Sequence, residues 1–280
     1  MVKQPKSNLL SAIFHGPIYL LVILGTLAFL IIITPLIIHF TVIYANAHTR
    51  MNTVASCEKQ PAIKVMPLGD SITFGEGSTA FGGYRVAMWD EACSAHLHII
   101  FVGSRDSGPA TLPSQANEGH PGWRIDQIST QVVAWLHHYQ PRVILLHIGT
   151  NDLLRNYRVS TAPARLQHLL TQITTTLPHA IVIVAQIIPM GKPGLSSKVV
   201  AYNSAIPAIV HNFTAQGKQI EYVDMYHAVP LSDIPDQKHP NNQGYSLMAS
   251  VWFAALKSAL QSHTTLTSAL QSHTTLLPIW

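Results

Sequence analysis

Two patterns of hydrophobic residues divide the chain. From Pro17 to Ile43 the sequence is mostly apolar and contains no Asp, Glu, Lys or Arg. From Ala62 onward, short apolar runs rich in β-branched residues alternate with longer amphipathic segments. The first pattern is typical of a membrane-spanning helix, and the second is typical of parallel strands that alternate with helices.

The second pattern predicts an α/β domain over residues 62–260. Its strands are expected at Ile63 to Leu68, Ile99 to Val102, Val143 to Ile148, Ile181 to Ile187 and Ile220 to Val223. Its helices are expected at Tyr84 to Ala95, Ile125 to Tyr139, Ala162 to Leu177, Val199 to Gln216, and from Asn242 to about Leu260. Right-handed crossovers between such units give a flavodoxin-like three-layer sandwich with a five-stranded parallel sheet.

The apolar segment 17–43 is long enough to cross the ~30 Å hydrocarbon core of a bilayer. Lys3 and Lys6 lie in the preceding residues 1–16 and favour a cytoplasmic N-terminus. Ala45-Asn46-Ala47 is a cleavage pattern for a signal peptide. After a polar linker over residues 44–61, we therefore expect an extracytoplasmic domain, either anchored to the membrane through residues 17–43 or secreted after cleavage.

Composition excludes several classes of partner. Charged residues make up 11% of the chain, and its net charge of +4 is not gathered in a basic block, so nucleic acid is not an expected partner. The sixteen histidines raise the question of a metal. However, His96, His98, His137 and His138 have no carboxylate or cysteine at ligand spacing, so we predict no metal site on them.

Two further features involve short segments. Cys57 and Cys93 are too few for a disulfide framework and form either one bridge or two thiols. In residues 261–280 the chain repeats itself, because SALQSHTTL at Ser258 to Leu266 recurs at Ser268 to Leu276. Two copies of so short a unit cannot build a solenoid core. We interpret this tail as an inert or frayed extension of the last helix.

A candidate nucleophile follows the first predicted strand. Gly69-Asp70-Ser71-Ile72-Thr73 stands directly after that strand, and ligand sites in doubly wound sheets lie beyond the carboxyl ends of strands. A serine hydroxyl is a poor nucleophile unless a base lies within hydrogen-bonding distance and is itself oriented by a third group. We predict that Ser71 is the nucleophile.

The base and its orienting acid are predicted in one loop before the last helix. Asp236 stands three residues before His239 in the Pro- and Asn-rich stretch Asp236-Gln237-Lys238-His239-Pro240, with Asn241 as a plausible N-cap. A carboxylate at this spacing can bind one imidazole nitrogen and leave the other to accept the serine proton. Asp224 and Asp233 are competing candidates for the acid, but Asp236 has both the position in the loop and the three-residue spacing to His239.

Donors for an oxyanion are expected in two further loops. Asn151 follows the third predicted strand in Gly149-Thr150-Asn151-Asp152, and Gly122 follows the second in the stretch EGHPGWR. We predict an oxyanion hole from the Asn151 amide and the main-chain N–H groups of Gly122 and Ser71, with Gly119 as the alternative to Gly122. Arg85 and Trp123 are predicted to bind substrate, although a surface ion pair for Arg85 and core packing for Trp123 are at least as well supported by the sequence.

Together these residues resemble the four sequence blocks of the SGNH, or GDSL-type, hydrolase superfamily. GDSIT resembles the first block, Gly122 the second, GTND the third and DQKHPN the last. Other stretches resemble the acetylxylan-esterase branch, carbohydrate esterase family three: Gly82-Gly83-Tyr84-Arg85, FVGS at Phe101 to Ser104, EGHPGW at Glu118 to Trp123, and AQIIP at Ala185 to Pro189. The likeness covers about Lys64 to Leu256.

The resemblance implies a serine esterase that removes acetyl or other short acyl groups through an acyl-enzyme, without an organic cofactor. Its expected substrate is an acylated small molecule or polysaccharide. The apolar N-terminal segment makes a lysophospholipase or thioesterase of the same superfamily the alternative. A non-catalytic carbohydrate-binding protein would require the loss of a catalytic position, and none is missing. An ordinary α/β-hydrolase is disfavoured because no G-x-S-x-G motif surrounds Ser71.

Overall fold

The computed structural model describes Leu24, residues 29–45, Thr49 and residues 57–274, with side chains described up to residue 262. The chain divides into two units, Met1–Ala55 and Ser56–Trp280. In the first unit, helix α1 covers residues 29–45. No helix within the described residues is both long and apolar enough to span a membrane. Because much of the predicted segment 17–43 lies outside the described residues, the membrane anchor stays a prediction.

The second unit is built on one seven-stranded sheet. In chain order its strands are β1 (Ile63–Gly69), β2 (Ile99–Phe101), β3 (Arg105–Asp106), β4 (Ala116–Gly119), β5 (Val143–His147), β6 (Ile181–Ala185) and β7 (Ile220–Val223). Five of them are the predicted strands, and they pair in parallel in the order β2-β1-β5-β6-β7. This is the strand order of a flavodoxin-like sheet, so the predicted parallel core is confirmed.

The remaining strands, β3 and β4, correct the prediction of a five-stranded sheet. β4 pairs in parallel with the last two residues of β1, and β3 pairs antiparallel with β4. Sequence patterns miss β4 because Asn117 and Glu118, which are polar, are fully buried in it. Their side chains accept hydrogen bonds from the main-chain N–H groups of Ser104 and Gly119. The strand therefore shows no apolar run in the sequence.

Helices cover both faces of the sheet. They are α2 (Ser71–Phe74), α3 (Tyr84–Ser94), α4 (Ile125–Tyr139), α5 (Thr150–Leu154), α6 (Ala162–Thr176), α7 (Ser196–Thr214) and α8 (Asn242–Thr274). α3 packs against α8, while α4, α6 and α7 share a core with alternate residues of the strands, such as Met66 and Leu68 of β1. The long helices were predicted to within a few residues, except that α8 continues beyond Leu260 to Thr274.

The topology brings the predicted site loops to one edge of the sheet. β1 and β5 are neighbours in the middle, and their carboxyl ends lead directly into α2 and α5. β4 ends beside the last residue of β1 and leads into the loop that precedes α4. Asn241 accepts a hydrogen bond from the Gly244 N–H at 2.9 Å, so it caps α8 and fixes the loop before that helix.

Candidate active site

Ser71 lies at the first position of α2, immediately beyond the end of β1. A Cβ atom on Gly69 would stand 2.2 Å from the carbonyl oxygen of His147 and 2.4 Å from the Thr73 hydroxyl, so glycine is required there. The Asp70 side chain accepts a hydrogen bond from the Ile72 N–H at 3.0 Å and caps α2. The tight turn therefore holds Ser71 at the carboxyl edge of the sheet.

The structure brings Ser71, His239 and Asp236 into one chain of hydrogen bonds. Ser71 Oγ is 2.9 Å from His239 Nε2, although the residues are 168 positions apart. His239 Nδ1 is 2.6 Å from Asp236 Oδ2. Because an ionised carboxylate only accepts hydrogen bonds, Nδ1 carries the ring hydrogen and the Nε2 lone pair faces the serine hydroxyl.

Asp236 is held in an ionised state. Partial burial raises the pKa of its carboxyl, but hydrogen bonds from the His239 main chain and ring and from the Lys238 N–H outweigh burial and leave the pKa below its usual range. The competing acids have other partners. Asp224 pairs with His227 at 2.7 Å, and Asp233 accepts a hydrogen bond from the Asn241 side chain.

The predicted oxyanion donors converge beside Ser71. Asn151 is buried, and its Nδ2 donates to the Trp123 carbonyl at 2.9 Å and approaches Asp70 Oδ2 at a longer 3.4 Å. Among the described residues, the main-chain N–H groups of Ser71 and Gly122 donate to no protein acceptor. These two N–H groups are thus available for a developing negative charge. The Asn151 amide can join them by exchanging its longer 3.4 Å contact with Asp70 Oδ2 for the oxyanion.

Gly119, the alternative to Gly122, is already occupied. Its N–H donates to Asn117 Oδ1 at 2.9 Å. A Cβ atom there would lie 2.3 Å from the main-chain nitrogen of Phe74. Gly122 instead adopts a φ of +78° in the turn closed by the Trp123 N–H and the His120 carbonyl. The geometry therefore favours Gly122 as the donor.

Asp152 ties two of these loops together. It accepts hydrogen bonds from the Ile125 N–H at 3.1 Å and from Arg165 Nη2 at 2.7 Å. The start of α4, which follows Trp123, is thereby held against α5, which carries Asn151. Asp70 is also completely buried, and burial raises the pKa of its carboxyl to about 7.

Arg85 does not occupy the substrate-binding position predicted for it. Its side chain is fully buried, and its two Nη atoms donate to the carbonyl oxygens of Phe74, Phe81, Ser107 and Gln115 and to the Ser107 hydroxyl. Burial lowers the pKa of the guanidinium to about 10. The substrate-binding role has no support in this geometry, because no Nη atom is left to face a ligand.

Trp123 is half-buried beside the oxyanion donors. Its ring stacks on His120 with centroids 4.4 Å apart, and His120 also stacks on Trp135 at 4.7 Å. His120 is held by Glu118, whose carboxylate is 2.7 Å from Nε2. The aromatic face predicted to bind substrate therefore belongs to a fixed stack, and its contact with substrate stays a prediction.

Glu76 is a site residue that the sequence analysis missed. Its Oε2 lies 3.1 Å from His239 Nε2, the same nitrogen that contacts Ser71. The available signal is Gly75-Glu76-Gly77, five residues after the nucleophile in the same loop. Pattern reasoning does not show in which direction a loop carboxylate points. Within the described residues, no group of three or more His, Cys, Asp or Glu is arranged to hold a metal ion.

Comparisons with known proteins agree with this geometry. Residues 68–247 match the model of the GDSL-like Lipase/Acylhydrolase family. A multidomain esterase of Ruminococcus flavefaciens is 27% identical over 228 residues, which are 71% of this chain and 29% of that relative. The chain thus spans less than a third of that relative's length.

Two solved structures share the fold over nearly their whole length. A family 3 carbohydrate esterase of Clostridium thermocellum is 33% identical with a TM-score of 0.65, and the match covers 72% of this chain and 98% of that one. A carbohydrate esterase family 3 protein of Talaromyces cellulolyticus is 26% identical with a TM-score of 0.62, covering 71% and 99%. The resemblance read from the sequence motifs is confirmed.

Proposed function

The chain belongs to the GDSL-like Lipase/Acylhydrolase family, and we propose that it is a carboxylic ester hydrolase that removes acetyl or other short acyl groups from carbohydrates. The observation that carries this proposal is the hydrogen-bonded chain Ser71–His239–Asp236, with contacts of 2.9 and 2.6 Å. The carbohydrate part rests on the two similar carbohydrate esterases of known structure.

In the proposed reaction Ser71 Oγ attacks the ester carbonyl carbon while its proton passes to His239 Nε2. The Ser71 and Gly122 N–H groups and the Asn151 amide stabilise the oxyanion. The carbon–oxygen bond to the sugar then breaks, and the leaving hydroxyl takes the proton from Nε2. Water next attacks the acyl-enzyme through the same base, releases the carboxylic acid and restores the Ser71 hydroxyl. These steps need no organic cofactor and no metal.

The experiment is a substrate panel on the purified full-length protein. Acetate release from acetylated xylo-oligosaccharides is measured beside hydrolysis of nitrophenyl esters of two, four, eight and twelve carbons. We expect activity on the acetylated sugar and a decline with acyl length. A maximum at long acyl chains would replace this proposal by the lysophospholipase alternative, and thioester substrates test the thioesterase alternative.

The assignment of the nucleophile is tested by Ser71→Ala, which should abolish acetate release while leaving the fold unchanged. Ser204→Ala is the matched control, since Ser204 is exposed on α7 and its hydroxyl donates to the Val200 carbonyl of the same helix. Substantial turnover by Ser71→Ala would reject the mechanism.

We also propose that the esterase works outside the cytoplasm. The support is the apolar segment at residues 17–43 with the preceding lysines. Protease treatment of intact cells expressing the protein should degrade the hydrolase region, and protection of this region until lysis would contradict the location.

A further inference from the structure

A second carboxylate lies at the reacting nitrogen of His239. Glu76 Oε2 is 3.1 Å from Nε2, compared with 2.9 Å for Ser71 Oγ. Nε2 offers one lone pair or one hydrogen at a time. The two oxygens therefore compete for this position, and the protonation state of the ring decides which of them it favours.

The main chain fixes Glu76 in this position. The Glu76 N–H donates to the Ser71 carbonyl at 3.0 Å, and the Tyr245 hydroxyl donates to the Glu76 carbonyl at 2.7 Å. Gly75 and Gly77, on either side, have φ values of +104° and +91°, which glycine adopts without strain. These contacts fix the main chain at Glu76, from which the side chain reaches His239.

Gly77 also brings this loop against the loop of the base. A Cβ atom at Gly77 would lie 2.5 Å from the Pro240 carbonyl oxygen and 2.9 Å from His239 Cβ. The two loops are therefore in van der Waals contact, which leaves the Glu76 carboxylate facing the imidazole edge. About a third of the Glu76 side chain remains exposed.

When the imidazole is neutral, its Nε2 lone pair accepts the Ser71 hydroxyl hydrogen and gives Glu76 nothing to bind. When Nε2 takes the serine proton, the new N–H is a donor and Glu76 is a carboxylate acceptor at hydrogen-bonding distance. Charge-assisted hydrogen bonds of this kind are stronger than neutral ones. Glu76 therefore interacts favourably with the form of His239 that exists during acyl transfer.

We propose that Glu76 is a positioning residue that acts through His239, by accepting the Nε2–H hydrogen bond and stabilising the imidazolium during ester hydrolysis. This inference rests on the proposed Ser71 mechanism. The loops around the ring also carry Asp236, which binds Nδ1, together with Lys238 and the buried Asp70. The carboxylates in contact with the ring are Asp236 on one nitrogen and Glu76 on the other.

The same interaction has opposite consequences in the resting enzyme and in the transition state. At low pH, Glu76 favours the protonated resting ring, which cannot accept the Ser71 proton. At high pH the resting ring is neutral, and Glu76 helps only after proton transfer. Its removal should therefore extend activity to lower pH and reduce the maximal rate. A purely structural residue would scale the whole pH profile without moving it.

The test compares Glu76→Gln with wild type across pH 4.5–9, using nitrophenyl acetate at constant ionic strength. The acid limb of kcat/KM should move to lower pH by about half a unit to one unit, and plateau kcat should fall about threefold to tenfold, as for a partly exposed pair. Glu58→Gln is the charge-matched control, since Glu58 is exposed and precedes the opposite end of β1. The Glu58→Gln variant should match wild type in both the acid limb of kcat/KM and the plateau kcat.

Two results would overturn the inference. An equal loss of rate at every pH, with the acid limb in place, assigns Glu76 a structural role. A rise in KM without a change in the limb assigns it to substrate contact. Thermal melting of both variants verifies that each one is folded.

A second readout separates this inference from the proposed function. The rate at which a phosphonate ester labels Ser71 covalently also depends on the neutral ring and requires no turnover. If wild type is not labelled at Ser71, the proposed function fails. If wild type is labelled and Glu76→Gln shows an unshifted pH profile, the Glu76 inference alone fails.

Discussion

At the residue scale, the site depends on which nitrogen of one imidazole carries the hydrogen. Asp236 accepts hydrogen bonds from the His239 ring and from two main-chain N–H groups at 2.6–2.9 Å. The carboxylate therefore fixes both the tautomer and the loop. An asparagine at this position keeps most of the shape but presents a donor to Nδ1, which forces the hydrogen onto Nε2.

We therefore expect Asp236→Asn to lower kcat on nitrophenyl acetate by about three to four orders of magnitude while the protein stays folded. Asp224→Asn is a close control, because Asp224 forms the same three-residue pairing with His227 at 2.7 Å without contacting His239. A loss of less than about tenfold in Asp236→Asn would show that the carboxylate does not orient the base.

The oxyanion donors give a second prediction at this scale. Asn151→Ala removes a side-chain donor that is buried and held by the Trp123 carbonyl, and such losses cost about two to three orders of magnitude in kcat. The KM should change little, because the interaction strengthens in the transition state. Asn156→Ala on the exposed surface nearby is the control. A large KM effect with unchanged kcat would contradict the role of Asn151.

The sequence was sufficient to predict residues whose chemistry depends on short spacing. Ser71 after a strand, and Asp236 three positions before His239, are visible without coordinates. The buried hydrogen bonds of Arg85 and the contact of Glu76 with His239 were not predicted, because both depend on side-chain direction. A charged side chain near a motif is equally compatible with a buried hydrogen-bond hub and with a contact to the base.

At the element scale, Arg85 connects α3 to three loops around the nucleophile. Its Nη atoms donate to carbonyls at the last residue of α2, in the turn before α3, and on both sides of the β3–β4 connection. Arg85→Met would remove the guanidinium donors from all four carbonyls, of which those of Phe74 and Gln115 keep other donors, the Ser107 hydroxyl and the Asn117 amide. Unsatisfied buried groups are costly, so we expect the free energy of unfolding to fall by about 3–5 kcal/mol.

Urea denaturation followed by tryptophan fluorescence measures this loss. Arg105→Met is the control, since Arg105 is exposed on β3 and should change the free energy of unfolding by about 0.5 kcal/mol or less. Activity of Arg85→Met at low temperature should follow the folded fraction. An Arg85→Met variant that is as stable as wild type but has a raised KM would restore the substrate-binding role.

The contrast between buried apolar and buried polar side chains explains which elements could be predicted from the sequence. The central strands β1, β5 and β6 are mostly apolar on both faces and stand out in the sequence. β4 reads Ala-Asn-Glu-Gly and looks like a loop, since its polar side chains are buried against partners far away in sequence. α8 was cut short at about Leu260 because the repeated segment has no strong apolar stripe, yet its backbone stays helical to Thr274.

At the scale of the whole molecule, the site lies where the strand order reverses. β1 is in the middle of the sheet with β5 on one side, while β2 and then β4 occupy the other side. Loops from opposite directions meet at such a switch point, so it offers a crevice for ligand. This also places buried ionisable groups of the central strands directly beneath the reaction, and they couple the stability of the whole unit to pH.

His147 at the end of β5 makes one such coupling testable. It is fully buried, its Nε2 accepts the Ile188 N–H at 3.4 Å, and its Nδ1 has no partner among the described residues. Burial lowers the pKa of His147 to about 4, below its value of 6.5 in an unfolded chain. Below pH 6.5 the unfolded chain therefore takes up a proton that the folded protein excludes, and stability is lost as pH falls towards 4.

The difference between the folded and unfolded pKa values of His147 lowers the free energy of unfolding by about 2 kcal/mol at pH 5. His147→Gln keeps an acceptor for the Ile188 N–H but does not titrate, so between pH 7 and pH 5 it should lose about 2 kcal/mol less unfolding free energy than wild type. Asp70, whose raised pKa acts in the opposite direction, is present in both proteins and cancels in the comparison. His168→Gln, at an exposed position of α6, should follow wild type. Equal pH dependence in wild type and His147→Gln would show that His147 accepts a proton on Nε2 in the folded sheet, through a rearrangement that moves the Ile188 N–H away from this nitrogen.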